Sequence, residues 1–268
     1  MLNLSMRGTI DFSVNILKNK VVFFVVSYDK EISEIETLDL LTDFADCSSK
    51  VNVVLWNNGP YELKVDDDKL IVLNHLNNSP LAFVYNNLVN DFYSYDYYVI
   101  LDDDSTLTSE YLNAIMSLDN LEDPFLGVPI VKSQGVQISP FINYSRTRFL
   151  MSGLVVNRSV FENYGKRLFD ERFQFYGVDW ALSEFVHRNR IPIKLLPSIT
   201  HKKSSHITEN SLFRRREISR SLVTKIFAYP CVNTFLEVSR AILKDLILFE
   251  QRLDFQFLIK KVFRRHYD

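Results

Sequence analysis

Tyr97-Tyr98-Val99-Ile100-Leu101-Asp102-Asp103-Asp104-Ser105 runs from uncharged, mostly apolar residues straight into three carboxylates and a hydroxyl. The apolar run is too short for a helix and reads as a buried strand that ends in an acidic turn. Carboxylates crowded at a strand's C-terminal edge repel one another. A shared cation relieves that repulsion, and hard oxygen donors suit Mg²⁺ or Mn²⁺. The chemistry such a site offers is that of a bound divalent cation. The plain alternative is a solvated turn in which Ser105 or Asp104 caps a helix beginning near Thr108. Asp66-Asp67-Asp68 has no comparable strand before it and reads as a solvated turn only.

The acidic turn needs a scaffold, and the preceding residues supply the pattern of one. Val21-Val22-Phe23-Phe24-Val25-Val26 is β-branched and aromatic on both faces, as in a strand buried within a sheet, and Ser27-Tyr28-Asp29 closes it. Ile32, Ile35, Leu38, Leu41 and Phe44 recur at helical spacing, which predicts a crossover helix over 31–45. A second strand at 51–55 ends in Trp56-Asn57-Asn58-Gly59-Pro60, a third follows at 70–73, and a helix is expected over 81–90. Residues 1–20 show no clear period beyond a helical stretch at 10–17. Strand, helix, strand, strand, helix, strand predicts an α/β fold with an open, mostly parallel sheet and ligands beyond the strands' C-terminal ends. Ser27-Tyr28, Asn57-Asn58 and the turn from Asp102 to Asp104 then converge on one crevice, which strengthens the cation reading.

With 268 residues, 47% of them apolar, the chain can bury a substantial core. Cys47 and Cys231 match no zinc or redox spacing, and the N-terminus carries no basic-then-apolar signal. A cytoplasmic setting is therefore expected. Seven glycines leave no room for a Gly-rich phosphate loop. The net charge of −2 hides an asymmetry, because residues 214–268 carry twelve basic and six acidic side chains. Nothing points to nucleic acid as a partner.

Taken together, these stretches resemble the inverting GT-A glycosyltransferases of family 2, and in particular their rhamnosyltransferase-like bacterial branch. The resemblance runs from about residue 21 to about residue 205. Val26-Ser27-Tyr28-Asp29 is similar to the family's turn after its first strand. Asn57-Asn58-Gly59-Pro60 stands where the family has Asp-Asn-Gly-Ser, with Asn57 replacing an acidic residue. Asn78-Ser79-Pro80-Leu81-Ala82 with Asn86 follows its Asn-x-Gly-x-Ala-x-x-x-Asn, with Pro80 replacing the glycine, and Asp102-Asp103-Asp104 matches its DxD motif. Further on, the stretch from Phe149 to Arg158, then Phe169-Asp170-Glu171-Arg172-Phe173 and Tyr176-Gly177-Val178-Asp179-Trp180, resemble the acceptor half of the family.

The resemblance implies a GT-A catalytic domain over 1–212 and a helical C-terminal segment over 213–268. It implies transfer of a sugar from a nucleotide-diphosphate donor, UDP- or dTDP-linked, to a glycan hydroxyl, in synthesis of a surface polysaccharide such as O-antigen or capsule. Asp179 is the implied general base, although by itself it reads as a helix N-cap. Asp104 and His201 are the implied ligands of Mn²⁺ or Mg²⁺, with His206 as a competitor. Ser27, Tyr28, Asn57, Asn78, Asp102 and Asp103 are expected around the nucleotide, and Arg215 of the 214–216 cluster, or Lys202 and Lys203, on the diphosphate.

The tail divides at Pro230 into at least two helices. Phe255, Phe257, Leu258, Val262 and Phe263 alternate with Lys260, Lys261, Arg264 and Arg265 in an amphipathic pattern. That face suits either an anionic membrane surface, where a polyprenyl-linked acceptor would reside, or packing on the catalytic domain or a second subunit. Two other classes stay open at this stage: a GT-A domain that only binds, and another metal-dependent nucleotide enzyme such as a nucleotidyltransferase.

Overall fold

The computed structural model describes residues 19–46, 48–65, 70–119, 122–201, 211–248 and 252–264, the last three without their side chains. The helical stretch at 10–17, the turn at 66–68, Lys202, Lys203 and His206 lie outside the described residues. The first half follows the expected order: β1 (Val21–Ser27), α1 (Glu36–Asp46), β2 (Val51–Asn57), β3 (Leu70–Asn74), α2 (Leu81–Asp91) and β4 (Tyr97–Asp102). The first helix starts later than its periodicity suggests, because Ile32–Glu34 form a separate 3-10 turn in which the Glu34 carboxylate accepts from the Glu31 N–H at 2.9 Å.

After the acidic turn come β5 (Ser105–Thr106), α3 (Ser109–Met116), β6 (Leu126–Ser133), β7 (Val136–Ser139), β8 (Phe141–Asn143), β9 (Arg146–Arg148) and β10 (Leu154–Asn157). Next are α4 (Arg158–Tyr164), α5 (Val178–Asn189) and β11 (Ile193–His201). The main sheet has the order β3-β2-β1-β4-β10-β6-β11-β5. Its first four strands are parallel, β10 runs antiparallel to both neighbours, and β11 is parallel to β6. The sheet is thus open and mixed. Register explains the crevice: Val26 lies opposite both Trp56 and Asp102, and Ser27 opposite Asn57. Three strand ends therefore stop at one level.

Both faces of the sheet are covered, as the unbroken apolar runs require. Tyr98 and Ile100 of β4 pack with Ala82, Tyr85 and Leu88 of α2 and with Trp180 and Leu182 of α5. Tyr97, Val99 and Leu101, pointing the other way, pack with Leu38 and Leu41 of α1 and Leu112 of α3.

Three helices follow: α6 (Leu212–Ala228), α7 (Val232–Leu248) and α8 (Phe255–Arg264). Leu222, Val238, Leu253 and Leu258 form their shared core, with Phe255 packed against it. Among the described side chains, the apolar residues of the last stretch thus include two, Phe255 and Leu258, turned onto the chain itself. No helix among the described residues is long and apolar enough to cross a membrane.

Candidate active site

β4 delivers Asp102 to the sheet edge, and α1 fixes the turn after it. The Thr37 hydroxyl is within hydrogen-bond reach of the Asp102 and Ser105 carbonyls, at 2.7 and 2.9 Å, and accepts from the Ser105 N–H at 3.0 Å. Lys30, in the loop after β1, donates to Asp103 Oδ1 at 2.7 Å, so the middle carboxylate ties that loop to the turn. Helix α3 is capped by Thr108, whose hydroxyl accepts from Tyr111 N. Neither Asp104 nor Ser105 serves as a cap. Ser105 is buried against the Ser152 hydroxyl instead.

The short strand β5 then pairs antiparallel with the end of β11, with His201 opposite Ser105. His201 Nδ1 comes to 3.2 Å from Asp104 Oδ1 and 4.0 Å from Asp102 Oδ2. One donor atom from each of Asp102, Asp104 and His201 lies within 4.8 Å of the others.

This trio fits a divalent cation on its own chemistry. Asp104 Oδ1 and His201 Nδ1 are buried and complete no hydrogen bond among the described residues. Burial raises the carboxyl pKa of both Asp102 and Asp104; His201 opposes the rise and the neighbouring carboxylates add to it. Two carboxylates and an imidazole form a mixed oxygen and nitrogen donor set that Mn²⁺ accepts.

The other sequence-predicted residues divide into two groups. Ser27 is buried, and its hydroxyl meets no partner among the described residues. Tyr28 stands 52% exposed at the same sheet edge. Asn57 instead spends its amide on the loop: its Nδ2 donates to Tyr61 O and Asn74 Oδ1, at 2.6 and 2.7 Å, and its Oδ1 accepts from Gly59 N. Asn58 links this loop to Asn78 and Ser79. Asn57 and Asn78 thus shape the loops beside the crevice. Gly59 lets them close, since a Cβ there would lie 2.6 Å from Asp29 N.

Arg215 is not brought to the site. Its guanidinium donates to the Leu253 carbonyl at 3.0 and 3.3 Å and fastens the start of α8 to α6. The charge run 214–216 could not reveal this, because one helix turn separates arginines that face different ways. Arg216 pairs with Asp254, whereas Arg214 stands over the Tyr176 ring.

Asp179 sits in the first turn of α5, behind Gly177 at φ +86°. A Cβ on Gly177 would meet Ser221 Oγ of α6 at 2.7 Å and Phe173 Cδ1 at 2.9 Å, so glycine serves both the left-handed backbone and the close approach of α6. The Asp179 carboxylate accepts from Trp180 N at 2.7 Å. Burial raises its pKa, and Lys225 of α6 opposes that rise. Lys225 in turn is lowered by burial and held up by Asp179 and Glu237. Burial, then the charges of Asp102 and Asp179, raise the pKa of the Tyr85 hydroxyl. Asp179 also raises that of Asp102, so the base candidate and the acidic trio share one electrostatic neighbourhood.

Asp170 and Glu171, the carboxylates shortly before Asp179 in the chain, are engaged elsewhere. Asp170 is held by Arg172 and by the Tyr229 hydroxyl, and these hydrogen bonds outweigh burial and lower its pKa. Glu171 accepts from Asn86 Nδ2, which also cradles the Phe169 carbonyl.

Asp179 opens onto a cavity of about 360 Å³ whose walls include Phe141, Tyr176, Trp180, Lys225 and Glu237. Glu237 of α7 accepts from Trp180 Nε1 and from buried Arg148, which also reaches Glu184 at 2.7 Å. The tail helices are therefore one wall of the cavity. Sequence reasoning missed Lys225 and Glu237. The available signal was Lys225 itself, a lone charge between the apolar Leu222-Val223 and Ile226-Phe227.

No family model and no curated protein matches the chain. Solved structures do match its fold. The mannosyltransferase PcManGT from Pyrobaculum calidifontis, in complex with GDP-Man and Mn²⁺, aligns at TM-score 0.54 and 13% identity, covering 84% of this chain and 69% of its own. GalNAc-T7, solved with UDP, GalNAc and Mn²⁺, aligns at TM-score 0.53 and 11% identity over 78% of this chain. The chain spans about half of GalNAc-T7, 48%. S. aureus TarS 1-349 aligns at TM-score 0.50 and 12% identity, covering 76% of this chain and 63% of its own. The fold is a GT-A fold with C-terminal helices.

Proposed function

We propose that the chain is a metal-dependent, inverting glycosyltransferase that moves a sugar from a nucleotide-diphosphate donor to a glycan hydroxyl. The observation that carries this reading is the Asp102, Asp104 and His201 trio at the sheet edge, together with Asp179, which lines a cavity and whose charge is felt at Asp102. The neighbours PcManGT and GalNAc-T7 support it, since both are described with Mn²⁺ and a nucleotide. One of these nucleotides is a guanosine and the other a uridine compound, so the diphosphate is the common feature and UDP- and dTDP-sugars are joined by GDP-sugars as donor candidates.

Asp104 and His201, with Asp102 beside them, would hold the divalent ion, which when bound would supply Lewis-acid neutralisation of diphosphate charge. Ser27 and Tyr28 line the nucleotide side of the crevice. Asp179 takes the proton from the acceptor hydroxyl as the oxygen attacks the anomeric carbon. The new carbon–oxygen bond forms opposite the one that breaks, and a single displacement inverts the centre. A carboxylate whose pKa is raised by burial is the stronger base for this transfer. Tyr176, Trp180 and Phe141 give the cavity aromatic walls of the kind a sugar ring packs on.

A screen of UDP-, dTDP- and GDP-sugars, with and without Mn²⁺ and Mg²⁺, tests the reading through released nucleotide. Metal-dependent release from at least one donor is expected. No release from any donor in the presence of a glycan acceptor pool would favour a GT-A domain that only binds.

A further inference from the structure

Helix α7 packs Val238, Ala241 and Ile242 inward, yet it also turns an apolar face to water, where a surface helix usually carries polar residues. Its carboxylates point into the molecule: Glu237 lines the cavity, and Asp245 accepts from the N–H groups of Arg252 and Leu253. On the outer side, Val232, Phe235, Leu236, Leu243, Leu246 and Ile247 follow at helical spacing and are between 43% and 74% exposed. Exposed Arg240 and Lys244 border this arc, and Lys260 and Lys261 are exposed on α8 next to exposed Ile259. The outer half of α7 therefore offers apolar surface and positive charge, with no carboxylate among its described residues.

We propose that the outer face of α7 docks on an anionic lipid surface. The helix would lie in the plane of the interface, its apolar arc at the acyl boundary and its basic border among the headgroups. Charge selects this occupant over a second copy of the chain. A two-fold contact places the same patch on both partners and brings the basic borders together, whereas anionic headgroups bring the opposite charge to a face that carries no carboxylate among its described residues. Glu237 reaches the cavity from the inner side of the same helix, so docking brings that cavity within about 10 Å, one helix diameter, of the lipid. If the glycosyl-transfer reading holds, this placement suits an acceptor carried by a lipid; the docking itself does not depend on that reading.

The test is co-sedimentation of the full chain with phosphatidylcholine vesicles, with and without phosphatidylglycerol. The chain is expected to bind the anionic vesicles, less at high salt, and only weakly the neutral ones. Leu243→Glu combined with Ile247→Glu should weaken binding about tenfold or more, and Arg240→Glu should weaken it less. Circular dichroism verifies the fold, and Phe235→Ser with Leu236→Ser tests the same arc without added charge. Absence of binding by the full chain, or binding that both double variants leave unchanged, overturns the proposal. So does a dimer, seen by sedimentation equilibrium without vesicles, that the double variants dissociate, since it assigns the face to a second copy. Vesicle binding requires no turnover, so its outcome is independent of the catalytic assignment.

Discussion

His201 stands 3.2 Å from Asp104 because two residues of β5 pair with the last two of β11, in a register that sets His201 opposite Ser105. A slip of one residue would turn the imidazole to the other face of the strand. Both facing atoms are buried without a hydrogen-bond partner among the described residues, an arrangement that costs stability unless a proton or a metal cation joins them.

Mn²⁺ added with a nucleoside diphosphate should therefore raise the melting temperature. Ligand at about 100 times its Kd contributes about 2.7 kcal/mol. His201→Ala should lose most of this gain while its own melting point stays close to that of the parent without metal. A thermal shift series with Mn²⁺ measures both. An equal gain in the variant would remove His201 from the metal site.

Asp179→Asn should keep donor and metal binding and lose transfer. Removal of a general base lowers kcat by about 10²- to 10⁴-fold. Steady-state kinetics with calorimetry of donor binding separates the two effects. Near-normal kcat would move the base elsewhere.

The pH profile should follow Asp179. The base acts as carboxylate, and burial raises its pKa, so kcat/KM should fall on the acid side at a pH above that of an ordinary aspartate. Lys225 opposes the rise, and Lys225→Gln should move this acid limb to still higher pH. A profile that Lys225→Gln leaves in place would uncouple the two groups.

Gly177→Ala should cost about 1 kcal/mol or more, because alanine resists φ +86° and its Cβ would strike Ser221 and Phe173. The helix start that carries Asp179 would shift with it. Chemical denaturation and kcat together check this, and loss of stability without loss of kcat would show that α5 holds its place independently.

The fold was legible where one period dominated. β1, β2 and β4 are buried on both faces, so their apolar runs could only be strands, and their shared register put Ser27, Asn57 and Asp102 at one edge. Motif order led to the expectation that Asp104 and His201 share one site; the pairing of β5 with β11 brings the two side chains together and gives the physical reason. Asn57 and Arg215 show where sequence stops short: a polar side chain near a crevice can serve its own loop, and an arginine in a basic run can serve a carbonyl 38 positions away. Lys225 and Glu237 were hidden because the packing of α6 and α7 on α5, rather than any local pattern, brings them to Asp179.

The most direct measurement of the central claim is a calorimetric titration of UDP and GDP into the chain, in Mn²⁺ and in EDTA. The account predicts binding of at least one of them that requires Mn²⁺, disappears in Asp104→Ala and survives in Asp179→Asn. Equal binding in EDTA, or undiminished binding by Asp104→Ala, would contradict it.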